Sequence, residues 1–567
     1  MLMTTKTQIS VGAYLATRLE QAGIRHYFGV PGDFNLVLLD QLLMNQNLKY
    51  IGCCNELNAG YAADGYARAN GVAAVVVTYS VGGLSIVNAI AGAYAENLSV
   101  IVISGGPNSN SEAENEVVHH GLGEVRYGYP RDIFATITAE SVIISHPSEA
   151  PTQIDRAIAT CLAQRKPVYL EIACNIAGAV TSTPQGDPCS VAQPISDPSA
   201  LKAAVNRAAT MLNQATKPVL VTGVNLQIEG AIEPFLKLVE ASGYAVAAMP
   251  NAKGLFSEQH PNYIGIYWGP VSSLGTSEIV ESADAYLFAG ATFSDYTTCG
   301  HTALIDSSKL IHVMTVQVRV AGQVYNSVFL PEFLAALAAE IQHNDTSLVA
   351  FNRIRTELAP ASPREPGTPL TTRYLFQQIQ QILNSESVII AETGDSWFNS
   401  IKLTLPEGCR HVIQMQYGSI GWSVGATLGY ELGSIKPCRV IALIGDGSFQ
   451  LTAQEVSTMI RYGLKPIIFL INNAGYVIEI EIHDGPYNSI QNWNYCDLIQ
   501  VFNGKSGNGW GCCVQTDQEL EQAVQKALSH DGVSFIEVVV ERDDCSKELL
   551  EWGSKVGASN ARSPKIL

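Results

Sequence analysis

Two oxygen-bearing side chains, Asp446 and Asn473, close two successive apolar runs of this chain. The first run, Arg439 to Ile444, turns sharply at Gly445-Asp446-Gly447-Ser448, and the second, Lys465 to Ile471, ends at Asn472-Asn473-Ala474-Gly475-Tyr476. An amphipathic stretch lies between them, so the segment predicts strand, tight turn, helix, strand. A parallel sheet gathers its ligands outside the carboxyl ends of its strands, which brings Asp446 and Asn473 to one spot. Two glycines let the backbone approach closely there. A carboxylate and an amide oxygen suit a hard cation, and magnesium takes few protein ligands beside phosphate oxygens. The chemistry implied is a diphosphate held through a metal.

Other candidates stand at the ends of short apolar runs nearer the N-terminus. Asp33 follows Gly29-Val30-Pro31-Gly32, and Glu56 follows Tyr50-Ile51-Gly52 through Cys53-Cys54-Asn55. A turn or helix-cap acid is the plain alternative for each. The small apolar helix face Leu57 to Ala63 predicts a dry setting for Glu56, which favours the neutral carboxyl. His119-His120 follows a polar loop; in a site that accumulates negative charge, two imidazoles supply donors and a proton shuttle near neutral pH. Glu479 lies among aliphatics six residues beyond Asn473, an unusual place for a purely solvated acid.

The elements that position these groups alternate between apolar runs and helical patterns throughout, which predicts α/β layers with mainly parallel sheets. Val72 to Tyr79, Val100 to Ser104 and Val168 to Ala173 read as buried strands, with a tightly packed helix over Gly82 to Tyr94. Pro218 to Gly223, Ala245 to Met249 and Ala285 to Gly290 read as strands of a second unit, with a helix around Phe235 to Ser242. No Gly-x-Gly-x-x-Gly follows the first of them, so a dinucleotide has no direct support there. Four prolines in Pro184 to Pro198 and four in Ala359 to Pro369 mark linkers. Three domains follow: 1–185, 199–355 and 370–567, with no sequence repeat legible between the first and third.

The bulk composition narrows the class. A chain of 567 residues exceeds one hydrophobic core, and 47% hydrophobic against 15% charged residues describes a well-buried globular enzyme. With 34 basic and 52 acidic side chains, net −18, a nucleic-acid partner is disfavoured. Met1 to Lys6 leads into a polar stretch without a signal-peptide core, and no apolar run reaches the length of a membrane span. Twelve cysteines without Cys-x-x-Cys read as reduced thiols of an intracellular, cytoplasmic protein, with neither zinc nor a disulfide framework indicated.

The order Gly-Asp-Gly, 24 residues, Asn-Asn resembles the signature of thiamine diphosphate enzymes. Further segments resemble, over nearly the whole length, the pyruvate decarboxylase family: Pro31-Gly32-Asp33-Phe34-Asn35-Leu36, Cys53-Cys54-Asn55-Glu56-Leu57-Asn58, His119-His120-Gly121, Ala391-Glu392-Thr393-Gly394-Asp395 and Ile482-His483-Asp484-Gly485-Pro486-Tyr487. The resemblance implies three α/β domains in a thiamine diphosphate-binding fold: a pyrimidine-binding one, a Rossmann-like central one and a diphosphate-binding one. It also implies a homotetramer, a dimer of dimers with active sites between subunits. By the same resemblance, Asp446, Asn473 and Gly475 hold magnesium and the diphosphate beside Gly447 and Ser448. Glu56 hydrogen-bonds the aminopyrimidine from another subunit. Ile420 supports the bent cofactor, Gly418 contacts its pyrimidine, and Thr78, Thr393 and Glu479 border it. Asp33, His119, His120 and Glu479 share the proton movements, and Glu455 acts indirectly or structurally behind the metal turn.

The activity so implied is non-oxidative decarboxylation of pyruvate to acetaldehyde and carbon dioxide, as in ethanol fermentation. Tyr296, Trp397, Ile478 and Ile482 match substrate-pocket positions, and their bulk favours a methyl ketone over an indole. Decarboxylation of a larger 2-oxo acid (indolepyruvate, phenylpyruvate or a branched-chain acid) remains an alternative reading. So does an acetolactate synthase-like carboligase, which carries FAD. A dehydrogenase is disfavoured by the acid in the Gly-Asp-Gly turn, and an inactive structural relative by the occupied proton-transfer positions. The segments 123–134 and 300–319 fit the family pattern less clearly.

Overall fold

The computed structural model describes residues 8–186, 194–355 and 367–564. Met1 to Lys6, residues 187–193 of the first expected linker and 359–366 of the second lie outside the described residues. Three large sheets organise the chain. In the N-terminal sheet the strands run in the order Lys49–Gly52, His26–Gly29, Val72–Val77, Ser99–Gly106, Val168–Ala173, Glu140–Ile144, and all neighbours are parallel. The C-terminal sheet runs Arg410–Val412, Ser387–Ala391, Arg439–Gly445, Ile467–Asn472, Ser534–Val539, Trp510–Val514, again parallel throughout. Numbered within its own unit, each sheet reads 2-1-3-4-6-5. The two outer units therefore share one topology, which their sequences do not reveal.

Helices cover both faces of each outer sheet, which is why strands such as Val72-Ala-Ala-Val-Val-Val77 are continuous apolar runs, buried at every position. The seven-stranded central sheet is mixed. Five parallel strands from Tyr263–Ile266 to Leu310–Val313 are extended by an antiparallel hairpin, Gln317–Val320 and Gln323–Asn326.

The outer units meet through helices Glu56–Asn70 and Trp422–Gly433, each of which follows the second strand of its own unit. The contact is main chain against main chain. A Cβ on Gly429 would fall 1.8 Å from the Ala62 carbonyl oxygen, and one on Gly65 2.2 Å from that of Ala426. Tyr61, Tyr66, Trp422 and Leu428 fill one apolar core with the strands of both units. No helix among the described residues is long and apolar enough to cross a membrane.

Candidate active site

Strand order reverses in the C-terminal sheet between Ser387–Ala391 and Arg439–Gly445. Ligands of open parallel sheets bind at such a point. Asp446 leaves the second of these strands and is 1% exposed. The Gly447 N–H donates to its Oδ1 (2.8 Å) and the Gly475 N–H to its Oδ2 (3.2 Å). Burial pushes the Asp446 carboxyl up to about 6, against the pull of these donors. The Asn473 amide oxygen lies 3.2 Å from Asp446 Oδ1 and 3.1 Å from the Gly475 carbonyl oxygen. With the Asn473 amide oxygen facing inward, three oxygens converge. Adjacent ligands of octahedral magnesium, at 2.0–2.1 Å from the metal, stand about 3 Å apart. Turned over, the amide would donate to both oxygens; facing inward by its oxygen, it completes a donor set that fits a hard cation.

These groups open into a cavity of about 420 Å³. Of the residues singled out from sequence, its wall contains Tyr296, Thr393, Gly418, Ile420, Asp446, Gly447, Ser448, Asn473, Gly475, Ile478, Glu479 and Ile482. Gly447 is a close approach, since a Cβ there would meet the Tyr476 ring at 2.4 Å. Gly418 has φ 66° and faces the Tyr296 ring, 3.3 Å from where its Cβ would be. Glu479 sits on helix Val477–Ile482; it lines the cavity yet is exposed in the single chain. Trp397 is fully buried and stands behind the lining, its ring 5.9 Å from Tyr296. Tyr296 is held from its other side by Trp552, at 5.0 Å.

Sequence reasoning passed over one hub of this half. Glu392 is fully buried, and its Oε2 accepts from the Gly421 N–H (3.1 Å), the Ser423 N–H (3.2 Å) and the Ser423 hydroxyl (2.6 Å). Its Oε1 accepts from the Thr393 N–H at 2.9 Å. One carboxyl therefore fixes the Thr393 turn and the turn that carries Gly418 and Ile420. The available signal was an acid directly after the apolar strand Ser387–Ala391.

The N-terminal sheet repeats this crevice with different furniture. Asp33 follows strand His26–Gly29, Thr78 follows Val72–Val77, and Glu56 opens the helix after Lys49–Gly52, capped by Asn55. Glu56 and Thr78 face the same glycine: a Cβ on Gly82 would lie 3.0 Å from Glu56 Oε1 and 3.3 Å from Thr78 Cγ2. The Thr78 hydroxyl is buried without a partner. His119 Nε2 is 2.5 Å from Asp33 Oδ2, and His120 Nε2 is 3.6 Å from Oδ1. The His119 ring stacks on Phe34 at 4.6 Å and 16°. The dry setting expected for Glu56 is only partial in one chain, where the residue is half-buried because its crevice opens outward. Asp33, Glu56, Thr78, His119 and His120 are all absent from the wall of the 420 Å³ cavity. One chain thus presents two separate half-sites.

Glu455 connects the halves. Fully buried, its Oε2 accepts from the Cys54 N–H (3.1 Å) and the Asn58 amide (2.8 Å), which bracket Glu56. The eleven cysteines among the described residues are all free thiols.

Comparison with known proteins identifies the family. Three family models match successive parts of the chain: the thiamine pyrophosphate enzyme N-terminal TPP-binding domain over residues 9–127, the central domain over 205–332, and the C-terminal TPP-binding domain over 392–538. Pyruvate decarboxylase 2 of Oryza sativa subsp. japonica is 52% identical over 561 residues, covering 98% of this chain and 93% of the relative. Pyruvate decarboxylase 4 of Arabidopsis thaliana is 50% identical over 567 residues, covering 99% and 94%. Pyruvate decarboxylase 3 of the same plant is 51% identical over 560 residues, covering 98% and 94%. With such identity spread over all three units, the chain belongs to the pyruvate decarboxylase family of thiamine pyrophosphate enzymes.

Proposed function

We propose that this protein converts pyruvate to acetaldehyde and carbon dioxide without oxidation, using thiamine diphosphate and magnesium. The observation that carries the reading is the convergence of Asp446, Asn473 and the Gly475 carbonyl at 3.1–3.2 Å. These residues would hold magnesium and, through it, the diphosphate, with Gly447 and Ser448 beside it. Bound thiamine diphosphate supplies a nucleophilic carbon and an electron sink for the pair left when the substrate carboxylate departs.

The protein's own part is binding, orientation and proton handling. Gly418 and Ile420, fixed through Glu392, would form the part of the cavity wall that the cofactor packs against. Glu56 holds a proton at the aminopyrimidine end, and Thr78 and Thr393 border the cofactor. Asp33, His119, His120 and Glu479 move protons during turnover and product release. Ile478 and Ile482, with Trp397 behind Tyr296, leave room for a methyl ketone; each extra methylene in an apolar pocket changes binding by ~1–3 kcal/mol.

Because the acid-bearing crevice and the metal-bearing cavity are separate within one chain, the complete site brings the Glu56 group of one copy to the cavity of another. The assembly is a homotetramer, a dimer of dimers, acting in the cytoplasm. Acetaldehyde formation from pyruvate, measured with and without thiamine diphosphate and magnesium and against bulkier 2-oxo acids, tests the reading. No acetaldehyde at saturating cofactor refutes it, and acetolactate as the main product would replace it with carboligation.

A further inference from the structure

We propose that Asp33, His119 and His120 form a second cation site, selective for a borderline transition metal such as zinc, whose occupation switches the enzyme off. Among the described residues, one group of three His, Cys, Asp or Glu side chains brings a ligand atom from each within 4.8 Å of the others, and it is this one. Tetrahedral zinc with bonds of 2.0–2.1 Å spaces its nitrogen and oxygen ligands ~3.3 Å apart. His119 Nε2 lies 2.5 Å from Asp33 Oδ2 and His120 Nε2 3.6 Å from Oδ1, and one ligand atom from each residue lies within 4.8 Å of the others. Closing the triangle takes movements of about an ångström. In the single chain these side chains are 51%, 59% and 35% exposed, so they can make such movements without disturbing that chain's core.

The fold already aims both imidazoles at the carboxylate. His119 is fixed by its stack on Phe34, and His120 meets the His119 ring edge-on at 4.6 Å. The His120 backbone is left-handed, φ 62°, and its carbonyl accepts from the Tyr129 hydroxyl at 3.5 Å. Ligand chemistry separates this site from the magnesium position. Asp446, Asn473 and Gly475 offer oxygen only, whereas two imidazole nitrogens and one carboxylate suit zinc, cobalt or iron. Coordination ties up the nitrogen lone pairs and the carboxylate oxygen, so none of the three groups can then accept or relay a proton. Binding follows from the geometry alone, while inhibition rests on the proposed proton role.

Cobalt(II) titrated into enzyme saturated with thiamine diphosphate and magnesium gives the direct test. Expected are one equivalent bound per chain, d–d absorption without a sulfur-to-cobalt charge-transfer band, and affinity at least about ten-fold lower in Asp33→Asn and His120→Gln. Those variants should keep the cofactor-induced rise in Tm. Zinc should stop acetaldehyde formation, and EDTA followed by fresh magnesium should restore it. A charge-transfer band, which reports a thiol site, overturns the proposal, as do unchanged affinity in both variants or full turnover with the site filled. Should a variant fail to fold, diethyl pyrocarbonate labelling of the unsubstituted protein decides: zinc should protect His119 and His120, and equal labelling with and without zinc refutes the site. Failure of the enzyme saturated with thiamine diphosphate and magnesium, free of zinc and cobalt, to make acetaldehyde would strike the proposed function and leave the cobalt result standing.

Discussion

Glu455 offers the sharpest test of how the diphosphate unit controls the acid-bearing helix. In Glu455→Ala the Asn58 amide, fully buried, and the part-buried Cys54 N–H both lose their acceptor. A buried donor without a partner costs ~1–3 kcal/mol, and a part-buried one less. The alanine variant should therefore lose ~2–4 kcal/mol, besides the loss from the emptied volume. Glu455→Gln should behave differently. Both donors use Oε2, while Oε1 makes no hydrogen bond, so one amide oxygen can keep both contacts at a cost of ~1 kcal/mol. Glu56 lies between the two donors, and a displacement of ~1 Å at a reacting group costs ~10²-fold in rate. The alanine variant should fall by that factor in kcat, and glutamine by far less. Urea melts and an alcohol dehydrogenase-coupled assay measure the two effects. A glutamine variant as unstable and as slow as alanine would refute the argument from Oε2.

Three further outcomes follow from the same geometry. Glu56→Gln should fold normally and lose ~10²–10⁴-fold in turnover; near-normal turnover removes Glu56 from the mechanism. In Asp446→Ala, thiamine diphosphate with magnesium should no longer raise Tm, as followed by scanning fluorimetry. Glu171 is 3% exposed, and burial pushes its carboxyl up to about 7 despite the Tyr169 hydroxyl donated at 2.8 Å. A carboxyl whose folded pKa is raised contributes most stability below its unfolded value, near 4.5, and loses it as pH rises through about 7. Glu171→Gln should remove that loss, so its stability relative to the parent should rise by ~2.5 kcal/mol between pH 5 and pH 8. A flat difference across that range in denaturant melts would refute the assignment.

Much of the framework was legible because parallel strands buried on both faces are written as unbroken β-branched runs. Val168–Ala173 coincides with the run read from sequence, and Pro218–Thr222 and Ala245–Ala248 each end one residue sooner. The convergence of Asp446 and Asn473 was legible for a related reason, since both sit at the ends of such runs. The hairpin Gln317–Val320 and Gln323–Asn326 was not, because four-residue strands are too short to establish a period. Glu392 escaped because its role depends on partners 29–31 positions away, whereas Glu455 was read only as indirect or structural because its partners lie about 400 positions away. The depth of Trp397 depends on Tyr296, contributed by a distant segment. The common strand order of the outer units lies in connectivity, which single residues do not encode.

The glycine-lined crossing of helices Glu56–Asn70 and Trp422–Gly433 acts as a spacer of fixed length. Where Gly65, Gly425 and Gly429 press against opposing backbone or Cβ atoms, no rotamer can be exchanged to let the units drift; peptide groups would have to overlap first. The offset between the Glu56 crevice and the Asp446 cavity of one chain is accordingly gauged by the main chain itself, and a single methyl group added at Gly429 would put that gauge out of true.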